Sequence, residues 1–415
     1  MGAPAARVAE LSRLWTQAGH EVTVLTGFPN HPTGVVPAEY RRKMRRLICR
    51  EQVDCVQVVR SWLLPLPNRK AYERILNYIS FCISAASTGM FLSRPDVVIA
   101  TSPQLLVGLT GWWLARWKQV PFIFEVRDLW PESLAAVDAA KNDSLLYKAL
   151  SGIAGFLYRS CDRIVVVTPA FQQRLVENWK VPPEKISVVE NGVDTDLFNP
   201  HAEHAEIRRL LRTERKFVVS YIGTMGIAHG LQTVIEAASQ LQQCMPDIHF
   251  LFVGEGAEKG KIVSSVRDRG LNNFCFVDQQ QREEIPAYIC ASDACLVPLR
   301  KSELFNTVLP TKMLEFMACA RPVILGVDGL ARRIVQEANA GIVVEPENQR
   351  DLVEAIRRLA ADRELCAALG RNGRHYVSQN FTRRHTAEAY LRVLEDLMTK
   401  DQTYPAAASP ITEGL

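Results

Sequence analysis

The sequence predicts an α/β protein made of two consecutive, doubly wound parallel-sheet domains facing each other across a cleft. Three observations predict it. A unit of short β-branched run, loop and amphipathic helix repeats along the chain, as expected of strands covered by crossover helices. The series halts at Asn191-Gly192-Val193-Asp194 and Phe198-Asn199-Pro200, where Gly and Pro mark a turn, and then restarts. The 415 residues suit two compact domains of ordinary size.

In the first half, strands are expected over 21–26, 54–59, 97–101, 122–126, 163–167 and 187–189, and helices over 5–18, 72–92, 105–118, 144–161 and 170–179. In the second, strands are expected over 217–222, 248–253, 274–277, 294–297, 323–325 and 341–344. Its helices are expected over 230–243, 259–269, 283–292, 312–319, 329–337 and 351–359. The domains then run over 1–198 and 199–378, with a C-terminal helix over 379–400 crossing back to the first domain and a disordered tail over 401–415. A dinucleotide-type domain opens with a strand, a Gly loop and a helix. Here Gly2 and Pro4 sit just ahead of the first helix, so the first strand of the N-terminal domain is expected to be missing and the chain to be cut from a longer protein. The alternative is a helical start with nothing missing.

Charge is uneven: residues 1–118 carry 15 Lys and Arg against 7 Asp and Glu, which leaves the remainder net acidic. Such a basic first quarter suits an anionic partner. Arg41-Arg42-Lys43-Met44-Arg45-Arg46 and Arg69-Lys70 lie near Trp62, Leu63, Leu64 and Leu66, which reads as a membrane-surface patch or as a solvated charged loop. The ten cysteines include no CxxC, which argues against a zinc ribbon and for reduced thiols in the cytoplasm. The start lacks the apolar run of a secretory signal. The uncharged runs 75–92 and 97–115 read as helices or strands of the fold rather than membrane spans.

Candidate chemistry clusters where strands end. Tyr221-Ile222-Gly223-Thr224-Met225-Gly226 leads through His229-Gly230 into a helix, and Phe252-Val253-Gly254-Glu255-Gly256 closes the next strand. Glycines there let backbone N–H groups approach a phosphate at a helix N-terminus; a plain tight turn is the alternative. In Leu309-Pro310-Thr311-Lys312-Met313-Leu314-Glu315, Lys312 opens a helix and Glu315 follows one turn later. A Lys beside a sugar diphosphate neutralises charge on the leaving group, and a carboxylate can accept from both ribose hydroxyls. The bland alternative is a solvated ion pair worth a few tenths of a kcal/mol. In the first half, Arg127-Asp128-Leu129-Trp130 follows a strand, so Asp128 falls at the sheet's carboxyl end, as an acceptor-orienting group or a helix cap.

Taken in order, Ala18-Gly19-His20-Glu21-Val22, Arg127-Asp128-Leu129-Trp130-Pro131-Glu132, Asn191-Gly192-Val193-Asp194, Gly223 through Gly230, Gly254-Glu255-Gly256 and the run from Pro310 to Pro322 resemble the retaining family-4 glycosyltransferases of GT-B architecture. The likeness is to the branch that builds bacterial surface polysaccharides such as O-antigen and colanic acid. It implies transfer of a sugar from a UDP- or GDP-linked donor to a lipid-linked glycan, with retention, at the inner face of the cytoplasmic membrane.

The resemblance assigns the ribose contact to Glu315. It puts Thr307, beside Asn306, where a second Glu normally stands near the transferred sugar. Thr224, Met225 and His229 occupy the stretch where the family has Arg and Lys, so Lys312, with Lys261 or Arg300, is expected to supply the missing charge. Asp128, Lys312 and Glu315 are the candidate catalytic residues. Gly223, Thr224, Gly226, His229, Gly254, Glu255, Lys261, Arg300, Thr307 and Thr311 complete the expected donor site, and Gly2, His31, Arg127, Asp128 and Trp130 form the expected acceptor site. No metal, cofactor or nucleic acid is expected. The alternatives are a nucleotide-sugar epimerase on the same fold and a truncated, non-catalytic binding subunit. An NAD-dependent oxidoreductase lacks its intact G-x-G-x-x-G unit.

Overall fold

The computed structural model describes residues 3–30, 34–66, 71–133 and 144–401. The first half holds β1 (Thr23–Gly27), β2 (Ile48–Val53), β3 (Val56–Ser61), β4 (Val98–Thr101), β5 (Phe122–Val126), β6 (Arg163–Val166) and β7 (Ile186–Val188). They form two sheets of order β1-β3-β2 and β4-β5-β6-β7, and among the described residues no strand joins β1 to β4. Every pairing is parallel except β2 with β3, a hairpin that sets Glu51 opposite Val58. β5 is buried at all five positions, its one charged residue Glu125 together with Phe122, Ile123, Phe124 and Val126. The helix Leu105–Lys118 brings Gly108 and Gly111 onto Phe124, Phe122 and Ala100, close enough that a Cβ would collide.

The helix Ala38–Met44 and β2 were not expected from the sequence. The basic run puts Arg41, Arg42 and Lys43 exposed in the last turn of that short helix and Arg45 and Arg46 just past it, and β2 is an edge strand with little buried surface. Leu63, expected in an exposed patch, is a core residue packed against Gly27 and Phe81. Among the described residues no helix is long and apolar enough to cross a membrane.

The second half is one parallel sheet of six strands: β8 (Phe217–Ile222), β9 (Ile248–Val253), β10 (Phe274–Val277), β11 (Ala294–Pro298), β12 (Val323–Gly326) and β13 (Gly341–Val343). Its order is β10-β9-β8-β11-β12-β13. The order reverses between β8 and β11, and ligands of open α/β sheets bind outside the carboxyl ends of the strands at such a reversal.

Two segments tie the halves together. Val193 pairs with Thr382 side by side, and the helix Arg383–Asp401 returns to the helix Ala3–Gln17. There Trp15 meets Tyr390 edge-on at 5.1 Å and donates its indole N–H to the Ala387 carbonyl. Leu11, Trp15, Ile123 and Val165 of the first half share one core with Tyr390, Val393 and Leu397. Each large side chain so buried contributes roughly 1.5–3 kcal/mol.

Candidate active site

The turns after β8 and β9 nest on each other. Gly223 N–H donates to Val253 O at 2.9 Å, Met225 N–H to Glu255 O at 2.8 Å and Glu258 N–H to Met225 O at 2.9 Å. Gly254 has φ +138° and so close an approach that a Cβ would sit 2.2 Å from the Gly223 carbonyl oxygen. No other residue fits that turn.

Lys312 reaches this turn from the first turn of the helix Thr311–Ala318. Its Nζ lies 4.1 Å from the Tyr221 ring centroid and 3.0 Å from where a Cβ on Gly223 would stand. That nitrogen is buried and has no hydrogen-bond partner among the described residues. Burial pushes its pKa down to about 7, with Glu315 pulling weakly the other way. The contact with the ring is worth about 0.5–2 kcal/mol, less than the several kcal/mol it takes to strip an ammonium of water. An anion would satisfy the group. His229 stands beside Tyr221, rings 5.7 Å apart, with Nδ1 3.4 Å from Pro298 O. Burial, then the Lys312 charge, lowers its pKa to about 3, so it is neutral near pH 7.

Glu315 does not pair with Lys312. It accepts from Arg282 Nη1 at 3.0 Å, while Arg282 Nε donates to Glu10 at 2.8 Å and Arg383 Nε donates to Glu10 at 2.6 Å. Burial raises the Glu315 pKa against the opposing Arg282 charge. This alternating chain of charges crosses from one half of the molecule to the other, since Glu10 belongs to the first helix. Close by, the Thr168 hydroxyl donates to Thr307 O at 3.0 Å, and Leu304 enters the first half's core.

The remaining expected donor residues are spread along the same rim. Thr224 is exposed, Gly226 and Thr311 are half-buried and Thr307 is buried. Glu255 pairs with Lys259, which also holds Asp278 at 2.6 Å. Lys259 was not singled out from the sequence. Lys261 does not converge with Lys312: its ammonium is on the outer face with Glu258 at 2.7 Å. Arg300 leans toward Glu347 at 3.8 Å.

On the opposite side of the gap, Arg127 and Asp128 leave β5 with their N–H groups 2.8 and 3.4 Å from Ser102 Oγ. Burial raises the Asp128 pKa to about 6, partly offset by Arg127, and burial lowers that of Arg127 to about 10. Trp130 follows, half-buried. Beneath them lies a pair that the sequence did not signal. Arg7 Nε donates to Glu125 at 3.0 Å, its Nη1 to Asn191 Oδ1 at 2.9 Å and its Nη2 to Val189 O at 3.2 Å. Gly2, His31, Arg69, Lys70 and the expected tail from 402 onward fall outside the described residues. Among those described, no group of three His, Cys, Asp or Glu side chains is placed to hold a metal.

Two family models cover most of the chain: the glycosyl transferase 4-like domain matches residues 2–192, and glycosyl transferases group 1 matches residues 203–376. The putative colanic acid biosynthesis glycosyl transferase WcaI of Escherichia coli is 26% identical over 83% of this chain and 85% of its own length. Sucrose-phosphate synthase of Thermosynechococcus elongatus superposes with a TM-score of 0.76 at 21% identity, over 96% of this chain and 94% of that one. HepE of Anabaena, solved in complex with UDP-glucose, superposes at 0.68 and 15% identity, over 91% of this chain and 100% of its own. With the two models matching one half each in chain order, the chain belongs to the group 1 glycosyl transferases and has the GT-B fold.

Proposed function

We propose that the chain moves a sugar from a UDP- or GDP-linked donor to a lipid-linked saccharide acceptor, with retention, during cell-surface polysaccharide synthesis at the cytoplasmic face of the membrane. The observation that carries this reading is the buried, unpartnered Lys312 nitrogen beside the glycine turn. The donor's diphosphate is the anion that fits it. As the anomeric C–O bond breaks, negative charge gathers on the departing phosphate, and a fixed ammonium in a dry site stabilises it. Glu315, held by Arg282, takes the ribose. Asp128 orients the acceptor hydroxyl from across the gap, and the leaving phosphate takes the hydroxyl's proton during same-face attack. The UDP-glucose complex of HepE and the colanic acid assignment of WcaI support donor class and pathway.

The test is a thermal-shift series with UDP and GDP, followed by transfer to lipid-linked acceptors. A nucleotide at one hundred times its Kd adds about 2.7 kcal/mol to the folded state, a rise of several degrees. Asp128→Asn keeps that shift and loses transfer. A donor consumed without acceptor, giving an isomerised sugar nucleotide, makes the chain an epimerase instead.

The membrane reading rests on the exposed Arg41, Arg42, Lys43, Arg45 and Arg46, of which Arg41 and Arg45 line an open groove with Val35, Met44, Trp62 and Pro65. Each basic side chain near an anionic surface is worth about 1 kcal/mol. Pelleting with phosphatidylglycerol vesicles is expected, weakening as salt rises. Equal binding to neutral vesicles, or none to either, removes the patch from the proposal.

A further inference from the structure

We propose that donor binding is coupled to proton uptake: before the donor arrives Lys312 is in large part the neutral amine, and the diphosphate draws a proton from solvent onto Nζ. The inference rests on the reading that Lys312 meets the diphosphate. Its ground is the surroundings of that nitrogen. The titratable groups facing it are Tyr221 from β8, His229 from the turn Ile227–His229 and Glu315 from its own helix. Tyr221 is pushed far above its ordinary range by burial and stays a neutral phenol. His229 is neutral for the same reason. Glu315, the one acid among them, is engaged by Arg282 at 3.0 Å. No anion is left to hold a charge on Lys312, and an unpaired buried ammonium sheds its proton rather than remain ionised. The free pKa of about 7 follows from that burial. A diphosphate in contact reverses the balance, since an opposite charge at hydrogen-bond distance favours the charged form.

Sign and size follow from linkage. A group that is half ionised near pH 7 when free and fully ionised when bound takes up about half a proton at pH 7 and close to one at pH 8.5. Donor affinity therefore falls up to about tenfold per pH unit above pH 7. The nucleotide contributes little there, because a terminal phosphate with its second pKa near 6 is already ionised.

Isothermal titration of the whole chain with UDP and with GDP, at pH 7 in MOPS and HEPES and at pH 8.5 in Tris and Tricine, reads the proton count from the dependence of the heat on the buffer. Lys312→Arg keeps a positive charge at both values, so it is expected to bind with no proton exchange and an affinity independent of pH. The wild-type series decides the matter even where that variant does not fold. Wild-type binding with a buffer-independent heat at pH 8.5, or undiminished uptake in Lys312→Arg, overturns the inference while leaving the donor site standing. Failure of both nucleotides to bind the wild type removes the donor-site reading and this inference together.

Discussion

Lys312→Met is expected to slow sugar transfer about 10²–10³-fold, the usual effect of removing one charge-stabilising donor from an acyl- or phosphoryl-type site, while the melting temperature holds or rises. The two halves of this expectation have one cause. The nitrogen is buried without a partner, so the folded chain bears the cost of deprotonating it or of stripping its charge of water, and recovers that cost when an anion binds. Methionine fills the same length beside Tyr221 with no charge to strip of water. Nucleoside diphosphate affinity is expected to drop about 10–100-fold, consistent with about 1.5–3 kcal/mol for a charged hydrogen bond. Initial rates with saturating donor, set beside a melting curve, check both halves. A variant that transfers sugar normally, or one that melts several degrees lower, would show that Lys312 is a packing residue.

Arg7→Met is expected to destabilise the fold by about 3–5 kcal/mol, because it leaves a buried acid without its partner. Arg7 and Glu125 are 1% and 4% exposed, and Arg7 also satisfies Asn191 and the Val189 carbonyl. In the wild type, burial pushes the Glu125 pKa up, but the Arg7 and Arg127 charges and hydrogen bonds from Thr101 and Arg7 carry it below its ordinary 4.5. A depressed carboxylate contributes stability above its unfolded pKa and loses it as pH falls through the folded value. That contribution is complete at neutral pH and fades below about 4.5. In the variant, burial acts without the Arg7 charge, so the deficit should be largest at neutral pH and shrink in acid. Urea unfolding at pH 7 and pH 4 measures it; an equal deficit at both would assign it to lost packing.

The sequence made the strands plain wherever both faces are buried. β5, β8 and β9 begin and end where their apolar runs do. It hid β2 for a definite reason. The β2–β3 hairpin turns through Asp54 and Cys55, both with positive φ, a geometry usually announced by Asn-Gly or Asp-Gly. The helix Arg363–Asn380 was not expected, and Gly370 and Gly373 lower the helix propensity of its sequence. Both are instead places of close approach: a Cβ on Gly370 would stand 2.1 Å from the Ala320 carbonyl oxygen. Within the candidate site, Lys312 was legible through the helix it opens, but its burial was not. A Lys three residues before a Glu looks the same whether the pair is solvated or drawn apart. Arg7–Glu125 and Glu10–Arg383 join residues far apart in the chain, and one sequence holds no local pattern for such pairs.

The last helix has a consequence for how the molecule is made. Ile123 of β5 and Val165 of β6 find Tyr390, Val393 and Leu397 against them only when residues near 400 have been synthesised. A ribosome adding about 5–20 residues per second needs on the order of 10–40 s to pass from Pro200 to that point. Through that interval the nascent first half presents a bare apolar strip, so its maturation waits for synthesis of the helix Arg383–Asp401 rather than proceeding domain by domain.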